Sequence, residues 1–313
     1  MRTLEVSRNV LWSLAGLYGI LVIASLIVAV LRRSATEANY GELVQRVRSW
    51  WVMVTLFTIA LALNRNISLV FFAFISFLAL KEYLSIIPTR RADRRVLFWV
   101  YLSIPFQYYW IATAWYGMFI IFIPVYVFLF LPLRMVIIGE TKEFLRAAGT
   151  LHWGIMITVF SISHVAYLLV LPEANNPVAG GAGLVLYLVF LTQFNDVAQY
   201  VWGKLLGRHK IIPKVSPNKT WEGFLGGVAT TAVLAVLLAD LLTPLSLQAA
   251  LIGGLLISAA GFVGDVTISA LKRDIGIKDS GSLLPGHGGI LDRIDSLTYT
   301  APLFFHFVYY LYY

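Results

Sequence analysis

Long apolar runs govern what this chain can fold into. Ten of them divide the 313 residues: 10–31, 51–64, 67–86, 96–112, 115–138, 151–172, 182–203, 222–244, 247–270 and 296–313. A helix needs about 20 apolar residues to cross the hydrocarbon core of a bilayer. The runs therefore predict an all-α polytopic membrane protein with about ten transmembrane helices, or eight to nine if the shorter runs do not cross. The second run is short, and Asn64-Arg65-Asn66 predicts a tight hairpin into the third. The first is too long for a signal-peptide core, and it ends at Arg32-Arg33 without a small-residue cleavage site. With 59% hydrophobic and 13% charged residues, the chain has about half the charge of an ordinary soluble domain. It has no cysteine, which excludes disulfides and thiolate metal sites.

The charges sort by loop. Every Lys and Arg except Arg2, Arg8, Arg65, Lys81 and Arg134 falls in 32–49, 87–95, 139–150, 204–221 or 272–295. These loops alternate with nearly uncharged ones. The positive-inside bias puts the basic set in the cytoplasm and both termini outside. The +8 net charge is thus a topology signal and calls for no nucleic-acid partner. Residues 140–150 (ETKEFLRAAGT) read as an amphipathic connector on the cytoplasmic surface. No internal repeat or low-complexity tract stands out. The chain reads as one membrane domain, 1–313, in which 1–181 is helical scaffold and 182–313 carries the chemistry.

Polar detail begins at Asn195-Asp196. Asp196 and Asp265 interrupt apolar spans, each shortly before a basic loop. Acids inside spans are costly and face a partner or a wet cavity. An ion pair within the bundle and a proton pathway are the plain alternatives to a site. In "VSPNKTWEGFLGG" (215–227), Ser216, Lys219 and Thr220 precede a helix start at Trp221-Glu222, an arrangement suited to phosphate. Thr220 also reads as an N-cap, with glycines that permit close helix packing.

The densest polar stretch is "KRDIGIKDSGSLLPGHGGILDRIDS" (272–296). Lys272, Arg273, Lys278 and Arg293 supply cationic donors, while Asp279, Asp292 and Asp295, with Asp265 upstream, supply hard oxygen ligands. Gly286, Gly288 and Gly289 flank His287 and allow a backbone to approach an anion closely. Carboxylates, cations and glycines without a His or Cys cluster point to Mg²⁺ and phosphate rather than zinc. No Walker A sequence is present.

These residues resemble the signature of the phosphatidate cytidylyltransferases (CDP-diacylglycerol synthases). The stretch "SALKRDIGIKDSGSLLPGHGGILDRIDS" (269–296) carries the likeness, and "SPNKTWEGFLGG" and "DVAQYVWGK" (196–204) are similar to two further family stretches. Upstream, Glu82 after an aromatic-rich helix also fits. The resemblance implies the reaction CTP + phosphatidate → CDP-diacylglycerol + pyrophosphate at an inner membrane, with the site facing the cytoplasm. It implies that Asp265 and Asp292 hold Mg²⁺, with room for a second cation such as K⁺, and that Asp196 lines the same cavity. Lys219, Lys272, Arg273, Lys278 and Arg293 would contact phosphates. Ser216, Thr220, Glu222, Ser269, Asp279, His287, Gly288, Gly289 and Asp295 would line the site. CTP, a lipid phosphate, membrane lipids and a second copy of the chain are the partners implied.

Two positions depart from the pattern. Gln199 stands where relatives tend to carry a small residue, and Ile268 where they often carry Glu. The loss of that acid points to a divergent branch with another lipid phosphate. A polyprenol kinase, an ion or proton transporter and a non-catalytic lipid-binding relative are the competing readings.

Overall fold

A computed structural model describes residues 7–34, 41–283, 286 and 288–313. The chain is a helical bundle. Its helices are α1 (Arg8–Ser34), α2 (Gly41–Leu63), α3 (Arg65–Ile86), α4 (Arg94–Ala112), α5 (Tyr116–Ile121), α6 (Phe128–Ile138), α7 (Phe144–Ile155) and α8 (Ser161–Leu168). They continue as α9 (Gly180–Leu206), α10 (Trp221–Leu242), α11 (Leu247–Asp274), α12 (Leu291–Ile294) and α13 (Leu297–Tyr312). A π turn joins α5 to α6 at Phe122–Val127 and another joins α7 to α8 at Met156–Phe160, so each pair runs as one rod.

All ten expected segments are helical. Among the described residues, eight are long and apolar enough to cross a membrane, the rods Tyr116–Ile138 and Phe144–Leu168 among them. Helices α4, with 19 residues, and α13, with 16, complete the ten but are not among those eight. At about 1.5 Å per residue, α13 spans only about 24 Å.

Two boundaries differ from the sequence reading. Helix α2 begins at Gly41, ten residues before the apolar run, because its charged first turns are helical as well. Arg46 pairs there with Glu42 at 2.6 Å, one turn away. Residues 144–150 are not a separate surface connector, since α7 passes straight from them into its span. The hairpin at Asn64 is as expected: its side chain accepts from Ile67 N at 2.9 Å and starts α3 one residue after α2 ends.

The site is built on α9, α10 and α11, which pack through glycine. A methyl at Gly254 would meet Ala235 Cβ at 2.6 Å, and one at Gly223 would meet the Gln199 carbonyl at 2.7 Å. Between α9 and α10 the chain forms a small antiparallel hairpin, β1 (Lys210–Ile212) with β2 (Ser216–Thr220), where the sequence suggested only a turn. Thr220 then caps α10 by accepting from Gly223 N at 3.1 Å.

Candidate active site

An open pocket of about 510 Å³ lies where the β hairpin meets α9 and α11. Asp196, Gln199, Ser216, Lys219, Thr220 and Asp265 line it. Lys219 is its hub. The ammonium stands 2.7 Å from Asp265 Oδ2, donates to Gln199 Oε1 at 3.0 Å and lies 5.6 Å from the centre of the Phe262 ring. Burial pushes the Lys219 pKa down, but Asp265 and Asp196 more than offset this and raise it above its usual value. The lysine is therefore held charged.

Three carboxylates surround this one ammonium. Asp265 accepts from Ser269 Oγ at 3.3 Å, and Asp196 Oδ2 accepts from Ser296 Oγ at 2.9 Å. The other oxygen, Asp196 Oδ1, is buried without a partner. Asp295 joins them from the turn between α12 and α13, and its pKa is raised well above the usual carboxylate value by burial and by repulsion from Asp265 and Asp196. Gly264 lets α11 approach that turn, since a methyl there would meet the Asp295 carbonyl at 2.5 Å. The pocket wall thus gathers three carboxyl groups around one lysine, and their mutual repulsion holds protons on the wall.

Asp292 stands in a second, adjoining group. Its Oδ1 takes Lys272 Nζ at 2.7 Å, and its Oδ2 accepts from Ser280 N at 2.9 Å and Gly289 N at 3.0 Å. Burial pushes the Asp292 pKa up, but these donors win and hold it below its usual value. A methyl on Gly288, which has φ +78°, would meet Asp292 Oδ2 at 2.5 Å. The signature glycines do let a backbone close on an anion, and in this conformation that anion is the protein's own carboxylate.

Other candidates hold the frame. Glu222 accepts from Arg208 N at 3.0 Å and His209 Nδ1 at 2.5 Å, which ties the loop after α9 to the start of α10. Arg273 donates to the Val215 and Ile277 carbonyls at 3.3 and 3.2 Å. Lys278 and Asp279 are exposed. Arg293 keeps a buried Nε without a partner. His287 lies outside the described residues.

The two departures read differently in three dimensions. Gln199 joins the site through Lys219, and Gly227 makes room for it, because a methyl there would collide with the Gln199 side chain. Ile268 is fully buried in the apolar core and is not among the pocket residues. Sequence reasoning left Glu82 out of the site. It accepts from Ile290 N and Leu291 N at 2.9 Å each, and from Ser280 Oγ. Its signals were a lone acid near the end of an apolar helix and the fit of that position to the family resemblance.

The donor set suits Mg²⁺ in one particular way. Among the described residues, no three His, Asp or Glu side chains form a ready-made metal shell. Mg²⁺ is commonly held by one or two carboxylates and completed by substrate phosphate. A pocket with three carboxyl groups around one lysine and an unpartnered buried oxygen, Asp196 Oδ1, fits that pattern.

Comparison with known proteins bears on the same residues. The chain is 48% identical to "Uncharacterized protein YnbB" of Escherichia coli (strain K12) over 298 residues, 95% of this chain and 98% of that protein. It is 40% identical over 124 residues to the phosphatidate cytidylyltransferase of Staphylococcus haemolyticus (strain JCSC1435), 39% of this chain and 48% of the enzyme. With the phosphatidate cytidylyltransferase of Pseudomonas aeruginosa the figure is 44% over 124 residues, 39% of this chain and 46% of the enzyme. The match spans about half the length of these two enzymes. The profile of the cytidylyltransferase family, in contrast, covers residues 44–311, which include every site residue described above. By that match, this multi-pass membrane protein belongs to the cytidylyltransferase family.

Proposed function

We propose that the protein transfers the cytidylyl group of CTP to a membrane lipid phosphate, phosphatidate in the first instance, and releases pyrophosphate. The observation that carries this reading is Lys219 held charged among Asp265, Asp196 and Gln199 in an open pocket at the loop ends of the bundle. An oxygen of the lipid phosphate attacks the α-phosphorus of CTP. The new P–O bond forms as the bond to the β-phosphate oxygen breaks, and the electron pair leaves with pyrophosphate. The attacking oxygen is already ionised, so no Ser or Cys nucleophile is needed.

The work of the protein is positioning and charge. Lys219 offsets repulsion between the two anionic substrates, and Lys272, Arg273, Lys278 and Arg293 would supply further cations to the phosphates. Asp265 and Asp196 would hold Mg²⁺, which would supply further neutralisation of the triphosphate. Asp292 can join them only when Lys272 leaves it for a phosphate, an exchange that an arriving triphosphate offers. Gln199, by accepting from Lys219, fixes the direction of its ammonium.

The test is transfer of label from [α-³²P]CTP to the organic phase, using purified protein, phosphatidate vesicles and Mg²⁺. Labelled lipid from the α position but not from [γ-³²P]CTP supports the reading. Label from the γ position with a polyprenol acceptor would replace it with a kinase.

The bias of basic residues in the loops further supports a pocket at the cytoplasmic face of an inner membrane. Because the chain has no cysteine, introduced thiols report topology cleanly. Exposed Ser282→Cys is expected to react with an impermeant maleimide only from the cytoplasmic side, and exposed Ala174→Cys only from the other. Reaction of both from one face would overturn the orientation.

A further inference from the structure

Glu82 lies in the last turn of α3, about 200 residues before the signature loop it touches. Its two oxygens take three donors from that loop: Ser280 Oγ, Ile290 N and Leu291 N. Two loop glycines are fitted to it. A methyl at Gly281 would stand 3.0 Å from Glu82 Oε2, and one at Gly289 would collide with the carboxylate itself. The platform is rigid, because neighbouring Tyr83 is buried and donates to the Thr150 carbonyl at 2.9 Å.

The contacts continue toward the site. Ser280, whose hydroxyl holds Glu82, gives its backbone N–H to Asp292, and Gly289, packed on Glu82, gives its N–H to the same oxygen. Asp292 in turn holds Lys272. Two carboxylates thus share one loop: Asp292 binds it from the pocket side and Glu82 from the scaffold side.

We propose that Glu82 is a positioning residue for the transfer reaction. It is a built-in anion around which the signature loop folds, and it sets where Asp292 and Lys272 stand. Its catalytic consequence rests on the cytidylyl-transfer reading; its effect on the loop does not. Both oxygens accept from donors, so no neutral side chain of the same shape replaces it. In Glu82→Gln the amide NH₂ must face a donor. Gly289→Ala should reproduce the defect from the other side by displacing the carboxylate.

The experiment has two arms. Hydrogen exchange of the full-length protein in detergent, without substrate, reads the loop. Glu82→Gln, Glu82→Ala and Gly289→Ala should each speed exchange at Ile290 and Leu291 by about tenfold or more, while α9 and α10 stay protected. Kinetics read the consequence. kcat should fall by about 10²-fold, the scale of a misplaced catalytic group, with a smaller change in KM for CTP. Added formate should partly restore Glu82→Ala, whose carboxylate site is empty, but not Glu82→Gln, whose site is filled. Unchanged exchange at Ile290 and Leu291 overturns the proposal, as does faster exchange with near-normal kcat. Faster exchange in a protein whose wild type transfers no cytidylyl group leaves Glu82 as the loop's anchor and overturns the function instead.

Discussion

Asp265→Asn should lower the rate of cytidylyl transfer by about 10²-fold or more, the usual loss when one preorganised electrostatic contact is removed from a reacting centre. The substitution keeps the shape of the side chain and takes away the charge that faces Lys219 at 2.7 Å. It weakens one of the two carboxylates proposed to hold Mg²⁺ and leaves the lysine to Asp196 and Gln199. Folding should change little, because Asp196 and Asp295 repel Asp265 and that repulsion disappears with the charge. Higher Mg²⁺ should recover part of the rate. Asp240→Asn is the control: that acid is exposed near the other end of α10 and should be silent. A folded Asp265→Asn protein with near-normal, Mg²⁺-dependent turnover would remove Asp265 from the site.

The second large effect is on stability. Lys272 and Asp292 are both buried, with 11% and 4% of their side chains exposed. Lys272→Met strands the carboxylate, and breaking a buried pair typically costs about 3–5 kcal/mol. The pH dependence follows from Asp292, whose folded pKa lies below its usual value. Its contribution in the wild type is present above the unfolded carboxylate pKa, about 4. That contribution is lost as pH falls through the lower folded value. In Lys272→Met the stranded charge is relieved by protonation, so the gap from wild type should be widest near neutrality and narrow in acid. Thermal midpoints across this range test it. Adding Asp292→Asn should return much of the loss, since removing both charges avoids the uncompensated one. A Lys272→Met protein as stable as wild type at neutral pH would contradict the pairing.

The fold was legible because lipid imposes one dominant rule, and the ten apolar runs obey it. What was not legible follows from where local rules compete. The charges at Glu42, Arg46 and Arg48 resemble a loop by hydropathy, yet their spacing supports a helix, and α2 extends through them. The signature also announced itself, since glycines beside charges are rare between spans. Its internal pairing did not. Lys219 and Asp265 are brought together by the β hairpin folding onto α11, and no spacing rule reaches across that distance in sequence. The glycines read as a cradle for substrate, while their present occupants are Asp292 and Glu82. Ile268 looked like a lost ligand and is core packing; Gln199 looked like a departure from the pattern and touches the hub lysine.

The central claim is that this pocket joins CMP to a lipid phosphate. It is tested most directly by mass analysis of the lipid made from phosphatidate, CTP and Mg²⁺, with pyrophosphate counted alongside, for wild type and Asp265→Asn. The expected wild-type result is a lipid heavier by one cytidylyl group, with one pyrophosphate per lipid, and about 10²-fold less of both in the variant. CDP without pyrophosphate, or a cytidylylated lipid formed equally well by Asp265→Asn, would contradict it.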